Sequence, residues 1–302
     1  DGCTRHFQIL NWNKNVSDEV WDANFARTIN CIHHGPAISK AQAQFRPAAM
    51  SGVHVANIIV PTTVDDLPDQ PALYFVLPMW DMVVSNQIRH IGAYDVQELD
   101  CLLKITQPGQ AFVDIGANIG AVAVHLAAHV GEEGAVFAFE PFRQVFQYLN
   151  ANIAVNGLSN VHTFNHGLSD SSNAPRQVEV PVPTLKAGQN VGMYGVFQGA
   201  STNVNGRTSQ IRERMEMVSI RTLDSFSLAR ADVIKIDVEG HASRVLEGAS
   251  ETIRQHRPLL WFEESSNAPS FLQDLDYWCT QLTETQEDQY ICVPRERHAE
   301  VQ

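Results

Sequence analysis

Three short stretches of this chain end apolar runs on side chains that can bind or move protons. The first is FVDIGANIG, residues 112–120. An apolar strand delivers Asp114 into a turn made of Gly116, Ala117 and Asn118, and Gly120 opens the helix that follows. In this reading Gly116 lets a ligand approach the backbone and Gly120 lets the helix pack on the strand. The free N–H groups of the helix start would face an anionic ligand group. The second stretch, FAFEP at 137–141, ends a strand on Glu140, where an acid can accept both hydroxyls of a ribose. The third, VIKIDVEGH at 233–241, sends Asp237, Glu239 and His241 off one strand-to-helix junction. Carboxylates beside an imidazole can orient an acceptor group and remove its proton. Acids at a helix start also simply complement its dipole, the plainer role for Glu239. Glu263 and Glu264 end the next strand at the same crevice.

Glycine spacing separates the cofactors such a crevice takes. A dinucleotide site wants G-x-G-x-x-G, and here only Gly116 and Gly120 are present. Asp114 would repel a pyrophosphate but suits the ammonium of a cofactor that carries an amino acid. The strand-end acid at Glu140 serves the ribose of either kind. An NAD-dependent oxidoreductase therefore stands as the weaker alternative.

Strands must carry these residues. Apolar runs at 111–115, 135–139, 161–166, 232–236, 258–262 and 290–293 read as strands. Helical spacing fills the gaps at 119–130, at 142–155, through Val245, Leu246 and Ile253, and through Phe271, Leu275, Trp278 and Leu282. That alternation predicts an α/β fold, a doubly wound and mostly parallel sheet covered on both faces, with ligands at the carboxyl ends of its strands. Residues 91–302 form this domain. Residues 1–90, with a helix near 16–29 and a short strand at 72–77, form an N-terminal extension expected to shape an acceptor pocket or a subunit contact. An insert at 171–222 carries strands at 178–182 and 215–220, and its Gly/Asn/Ser/Thr-rich loop at 187–207 is expected to act as a substrate lid.

The formal charge of −13 argues against nucleic acid or an anionic membrane as partner, since both need a positive field. No apolar run is long enough for a membrane span, and the first residues do not read as a signal peptide. The 5 cysteines are scattered without C-x-x-C or Cys/His zinc spacing. Reduced thiols, no disulfide framework, no structural zinc and a cytoplasmic location are the expectations.

Taken together, FVDIGANIG, VFAFEP (136–141), LNANIAVNGLSNV (149–161), HGLSD (166–170), TLDS (222–225), IKIDVEGH (234–241) and VLEGA (245–249) resemble the FkbM-type family of S-adenosylmethionine-dependent methyltransferases, from about residue 92 to 264. The resemblance implies a class I, Rossmann-like methyltransferase fold. It places the methionine end of the cofactor at Asp114, Gly116, Ala117, Asn118 and Gly120, and the ribose at Glu140 with Pro141 beside it. Adenine falls near Gly167, Leu168 and Asp170, and Asp237 lies by the methyl group. The acceptor it implies is a small molecule or peptide: a hydroxyl on a sugar, polyketide or other natural product, or a peptide side-chain amide. Two departures stand out. Ala242 replaces an acid common in the family, which moves the base to His241 or Glu239. The chain also ends soon after the expected sixth strand, leaving little room for an antiparallel seventh. A catalytically inactive binding subunit on the same fold is the non-enzyme alternative. Asp237 and Glu263 would suit Mg²⁺, although nothing in the spacing requires a metal; a homo-oligomer is compatible with all of this.

Overall fold

Alternating apolar runs in the second two-thirds of the chain assemble a seven-stranded sheet. The computed structural model describes residues 58–59, 73–78, 81, 83–181, 196, 215–263, 268–282 and 289–297. Its strands are β3 (Ala111–Ile115), β4 (Ala135–Phe139), β5 (Val161–Phe164), β9 (Val233–Ile236), β10 (Leu259–Glu263), β11 (Tyr277–Leu282) and β12 (Gln289–Pro294), in the order β11-β12-β10-β9-β3-β4-β5. The pairs among β5, β4, β3, β9 and β10 are parallel; β12 runs antiparallel to β10 and β11. This is the sheet that the sequence resemblance implied, with an antiparallel seventh strand. Outside it, β1 (Ile58–Ile59) pairs with β2 (Phe75–Val76), and β6 (Gly167–Leu168), β8 (Met215–Arg221) and β7 (Arg176–Pro181) form a three-stranded sheet.

Two layers of helix cover the main sheet. Side chains alternate along each strand, so Phe112, Val233 and Trp261 enter one core while Val113, Ile234 and Phe262 enter the other. The first core takes α1 (Val84–Ile91), α2 (Val96–Ile105), α3 (Ala121–Val130) and α4 (Arg143–Val155); the second takes α5 (Ala242–Glu247), α6 (Ser250–His256) and α7 (Phe271–Asp274). Fully buried side chains such as Trp261, Phe112 and Phe262 contribute about 1.5–3 kcal/mol each. Two asparagines, Asn152 in α4 and Asn156 at its C-terminal cap, tie in the chain ahead of the domain. Asn156 Oδ1 accepts from the Tyr74 amide at 2.7 Å while its Nδ2 donates to the Tyr74 carbonyl. Asn152 accepts from the Val76 amide and donates to the Ile119 carbonyl.

The structure corrects four expectations. The run through Leu275, Trp278 and Leu282 is not a helix: Asp276 adopts φ 57° after the single turn of α7, and Tyr277–Leu282 becomes β11, paired with β12. With that strand counted, β12 is the seventh, so the sheet is not truncated. The helix through Val245 and Ile253 breaks at Gly248, where a Cβ would lie 2.0 Å from the Ser169 carbonyl oxygen. Finally, Cys279 and Cys292 are not free thiols. They are cross-strand partners, Cα–Cα 4.0 Å, and form a disulfide that their sequence spacing did not suggest. Cys101 is buried and outside this disulfide. The expected helix at 16–29 and the loop at 187–207 lie outside the described residues, apart from Val196. Among the described residues no helix is long and apolar enough to cross a membrane.

Candidate active site

The glycine-rich turn between β3 and α3 is closed by main-chain bonds. The Gly116 and Ala117 amides both donate to the Phe139 carbonyl, at 3.0 and 2.9 Å, and Gly120 donates to Ala117. The turn needs positive φ at Gly116 (86°), Asn118 (52°) and Gly120 (88°). Asparagine tolerates that region, and the Asn118 side chain accepts from the Ile119 amide. A Cβ on Gly116 would lie 1.9 Å from the Asp237 carbonyl oxygen, and one on Gly120 would lie 2.8 Å from Leu149 Cδ1. Gly116 therefore packs the turn against the end of β9, and Gly120 packs it against α4 rather than against a strand.

Two buried carboxylates flank this turn. Asp114 is 1% exposed, and neither of its oxygens has a hydrogen-bond partner. Burial pushes it up to about 6, with Asp237 adding to the rise; the Lys235 ammonium and the Ala123 amide, which approaches without completing a bond, pull the other way. Glu140 ends β4 equally buried but well held. Its oxygens accept from the Asn118 amide (3.0 Å) and the Phe142 amide (2.9 Å). Burial still pushes it up to about 8 against those two bonds, helped by Asp114 and Asp237.

Across the ends of β9 and β10 lies a second group, of which sequence reading had named only Asp237 and Glu263. Register places Lys235 beside Asp114 on β3 and Trp261 on β10. Its ammonium, 4% exposed, meets Asp237 at 3.0 Å and Glu98 of α2 at 3.4 Å. Gln289 of β12 donates to Glu98 at 3.2 Å and to Glu263 at 3.0 Å, closing a chain of groups from four elements. Burial alone would lower the ammonium's pKa, but Asp237, Glu98 and Asp114 hold it well above its ordinary value. Glu98 is pushed up to about 7 by burial, against Lys235. The same charges reach Tyr94: burial together with Asp237, Asp95 and Glu98 raises its phenol well above the usual range. A lysine between Ile234 and Ile236 in a central parallel strand was the available signal, since such strands are apolar on both faces.

The remaining sequence candidates divide between the two sides. Pro141 and Gly167 adjoin: a Cβ on Gly167 would sit 3.7 Å from Pro141 Cβ. Leu168, Ser169 and Asp170 are buried beyond them. Asp170 accepts from Arg244, Ser172 and Asn173, which hold it well below the usual carboxylate range despite its burial. His241, just ahead of α5, has Nε2 2.9 Å from Ser169 Oγ. Glu239 and Gly240 both adopt positive φ, 44° and 71°. So Asp114, Gly116, Asn118, Glu140 and Asp237 come together at the ends of β3, β4 and β9. The His241 ring is engaged instead with Ser169, beside β6. Among the described residues no group of His, Cys, Asp and Glu is arranged to hold a metal ion.

Residues 114–290, well over half of the chain, match the family described as the Methyltransferase FkbM domain. Among solved structures the chain is similar to the methyltransferase FkbM of Methylobacillus flagellatus KT, with TM-score 0.40 and 19% identity over 62% of this chain and 43% of that one. It is also similar to a precorrin-6y C5,15-methyltransferase of Geobacter metallireducens GS-15, with TM-score 0.36 and 14% identity over 65% and 87%. A third is TrmK of M. capricolum, solved with S-adenosylhomocysteine, with TM-score 0.35 and 10% identity over 65% and 66%. The chain thus spans less than half the length of the Methylobacillus protein. No curated protein matches it in sequence. The chain belongs to the FkbM methyltransferase family.

Proposed function

We propose that this methyltransferase acts on a hydroxyl of a sugar, polyketide or similar small natural product. The observation that carries the cofactor assignment is Asp114: a buried carboxylate with no partner on either oxygen, beside a turn closed by backbone bonds. An unpartnered buried acid is costly, and a cationic ligand group offsets that cost. The ammonium of the methionine end fits it. Glu140 spends one lone pair per oxygen on Asn118 and Phe142 and keeps the others for ribose hydroxyls. Ala117 and Asn118 line the methionine side, and Pro141, Gly167 and Leu168 line the adenine side.

When bound, S-adenosylmethionine supplies a methyl group on a sulfonium that departs as a neutral thioether. The protein's own work is alignment and exclusion of water, which can be worth roughly 7–11 kcal/mol of the barrier. Asp237 is placed to orient the acceptor hydroxyl and take its proton: its side chain is 32% exposed while Lys235 behind it is buried. A base of this kind contributes about 10²–10⁴-fold. His241 would have to give up Ser169 to share that role, and Glu239 sits in the positive-φ turn between Asp237 and His241.

The test of the cofactor site is calorimetry with S-adenosylhomocysteine. Glu140→Ala should weaken binding at least tenfold, from one or two charge-assisted hydrogen bonds at about 1.5–3 kcal/mol each. Unchanged affinity would remove the ribose assignment, and binding of NAD in its place would remove the cofactor. The acceptor class is tested by searching a small-molecule extract for products that gain one methylene in mass. A methylated peptide as sole product would contradict it.

A further inference from the structure

Lys235 sits where the two halves of the crevice meet. It is the register partner of Asp114 on β3, it is ion-paired with Asp237 at the end of its own strand, and it reaches Glu98 on α2. The groups facing it are these three carboxylates and, from the start of α2, the Tyr94 phenol. One buried cation therefore stands against three acids, of which Asp114 and Glu98 are buried with it where solvent screens little and Asp237 is partly exposed. S-adenosylmethionine and S-adenosylhomocysteine differ by one methyl group and one positive charge, so the ratio of their affinities reads the potential that this cluster creates.

We propose that Lys235 is a positioning residue that sets the discrimination between the sulfonium cofactor and its neutral product, by offsetting the carboxylates of Asp114, Asp237 and Glu98. Left uncompensated, those acids would hold the sulfonium ground state more tightly and gain nothing in the transition state, where its charge is being lost. The ammonium keeps Asp237 oriented and caps that ground-state attraction. This inference rests on the cofactor reading above.

The experiment is isothermal titration of both ligands into the full chain, wild type and variants, at a pH above the value near 7 to which Glu98 is pushed. The ratio of the two affinities should follow formal charge by roughly tenfold per unit. Glu98→Gln removes a negative charge and should shift preference toward S-adenosylhomocysteine. Lys235→Met should shift it toward S-adenosylmethionine, and Lys235→Arg should leave it at the wild-type value. The double variant Glu98→Gln/Lys235→Met restores the wild-type charge sum and should return the ratio to wild type. It also removes the buried one of the two acids that Lys235→Met strands, so it tests the idea even where Lys235→Met alone fails to fold. A merely structural role for Lys235 would weaken both ligands in parallel, and a ratio that stays constant across the variants overturns the proposal. Failure of the wild type to bind either ligand would instead overturn the cofactor assignment beneath it.

Discussion

Glu140 and Glu98 are both buried carboxylates at the strand ends, and they are held in opposite ways. Glu140 is held by main chain, accepting from the amides of Asn118 and Phe142, which lie 22 and 2 residues away. Glu98 is held by side chains, the Lys235 ammonium and the Gln289 amide, the latter 191 residues away. No side-chain substitution deletes the donors of Glu140. A single substitution at Lys235 deletes the ion pair of Glu98 and leaves charges buried without a counterpart. The cofactor half of the crevice is thus pre-formed by one local segment, whereas the half around Asp237 exists only once α2, β9, β10 and β12 have met.

The largest expected consequence is in stability. Lys235→Met strands Glu98 and Asp237, and breaking a buried pair in this way costs about 3–5 kcal/mol. Glu140→Gln keeps one acceptor for the two amides and should cost only about 1 kcal/mol. Urea unfolding of the two variants measures the contrast. Equal losses would mean that the two halves do not differ as described.

The same contrast explains what could be read from the sequence. Asp114, the turn and Glu140 are consecutive in a strand–turn–helix–strand unit, and the glycines mark where φ must be positive, so that half was legible. Lys235 lies within VIKIDVEGH, yet its partners sit on elements that spacing alone does not bring together. At the chain's end, local periodicity misled. Phe271, Leu275, Trp278 and Leu282 have helical spacing, but the left-handed Asp276 stops the helix and pairing with β12 takes over. The antiparallel hairpin that completes the sheet also joins Cys279 to Cys292, a consequence of register rather than of any cysteine motif.

A smaller effect sharpens the electrostatic side of the comparison. Asp114, Glu98 and Glu140 are raised to about 6, 7 and 8, so the native state keeps protons that the unfolded chain has already lost. Their contribution is complete below the ordinary carboxylate range and is lost as pH rises through those values. Glu296, lowered to about 2 by Arg257, works in the opposite sense and is lost only in stronger acid. Ligand-free protein should therefore be most stable near pH 5 and melt at lower temperature as the pH approaches 8. A melting temperature that rises over that interval would contradict these assignments. Saturating S-adenosylmethionine should flatten the slope, because a cationic ligand favours the ionised acids.

The most direct test bears on Asp114, the buried acid without a partner. Asp114→Asn preserves shape and removes the charge. The account predicts two opposite changes in one protein. The ligand-free melting temperature holds or rises, because a buried unpaired charge is gone, while the affinity for S-adenosylhomocysteine falls at least tenfold with the loss of a charge-assisted bond. A variant that is destabilised yet binds the ligand as tightly as wild type would show that Asp114 serves the fold and not the cofactor.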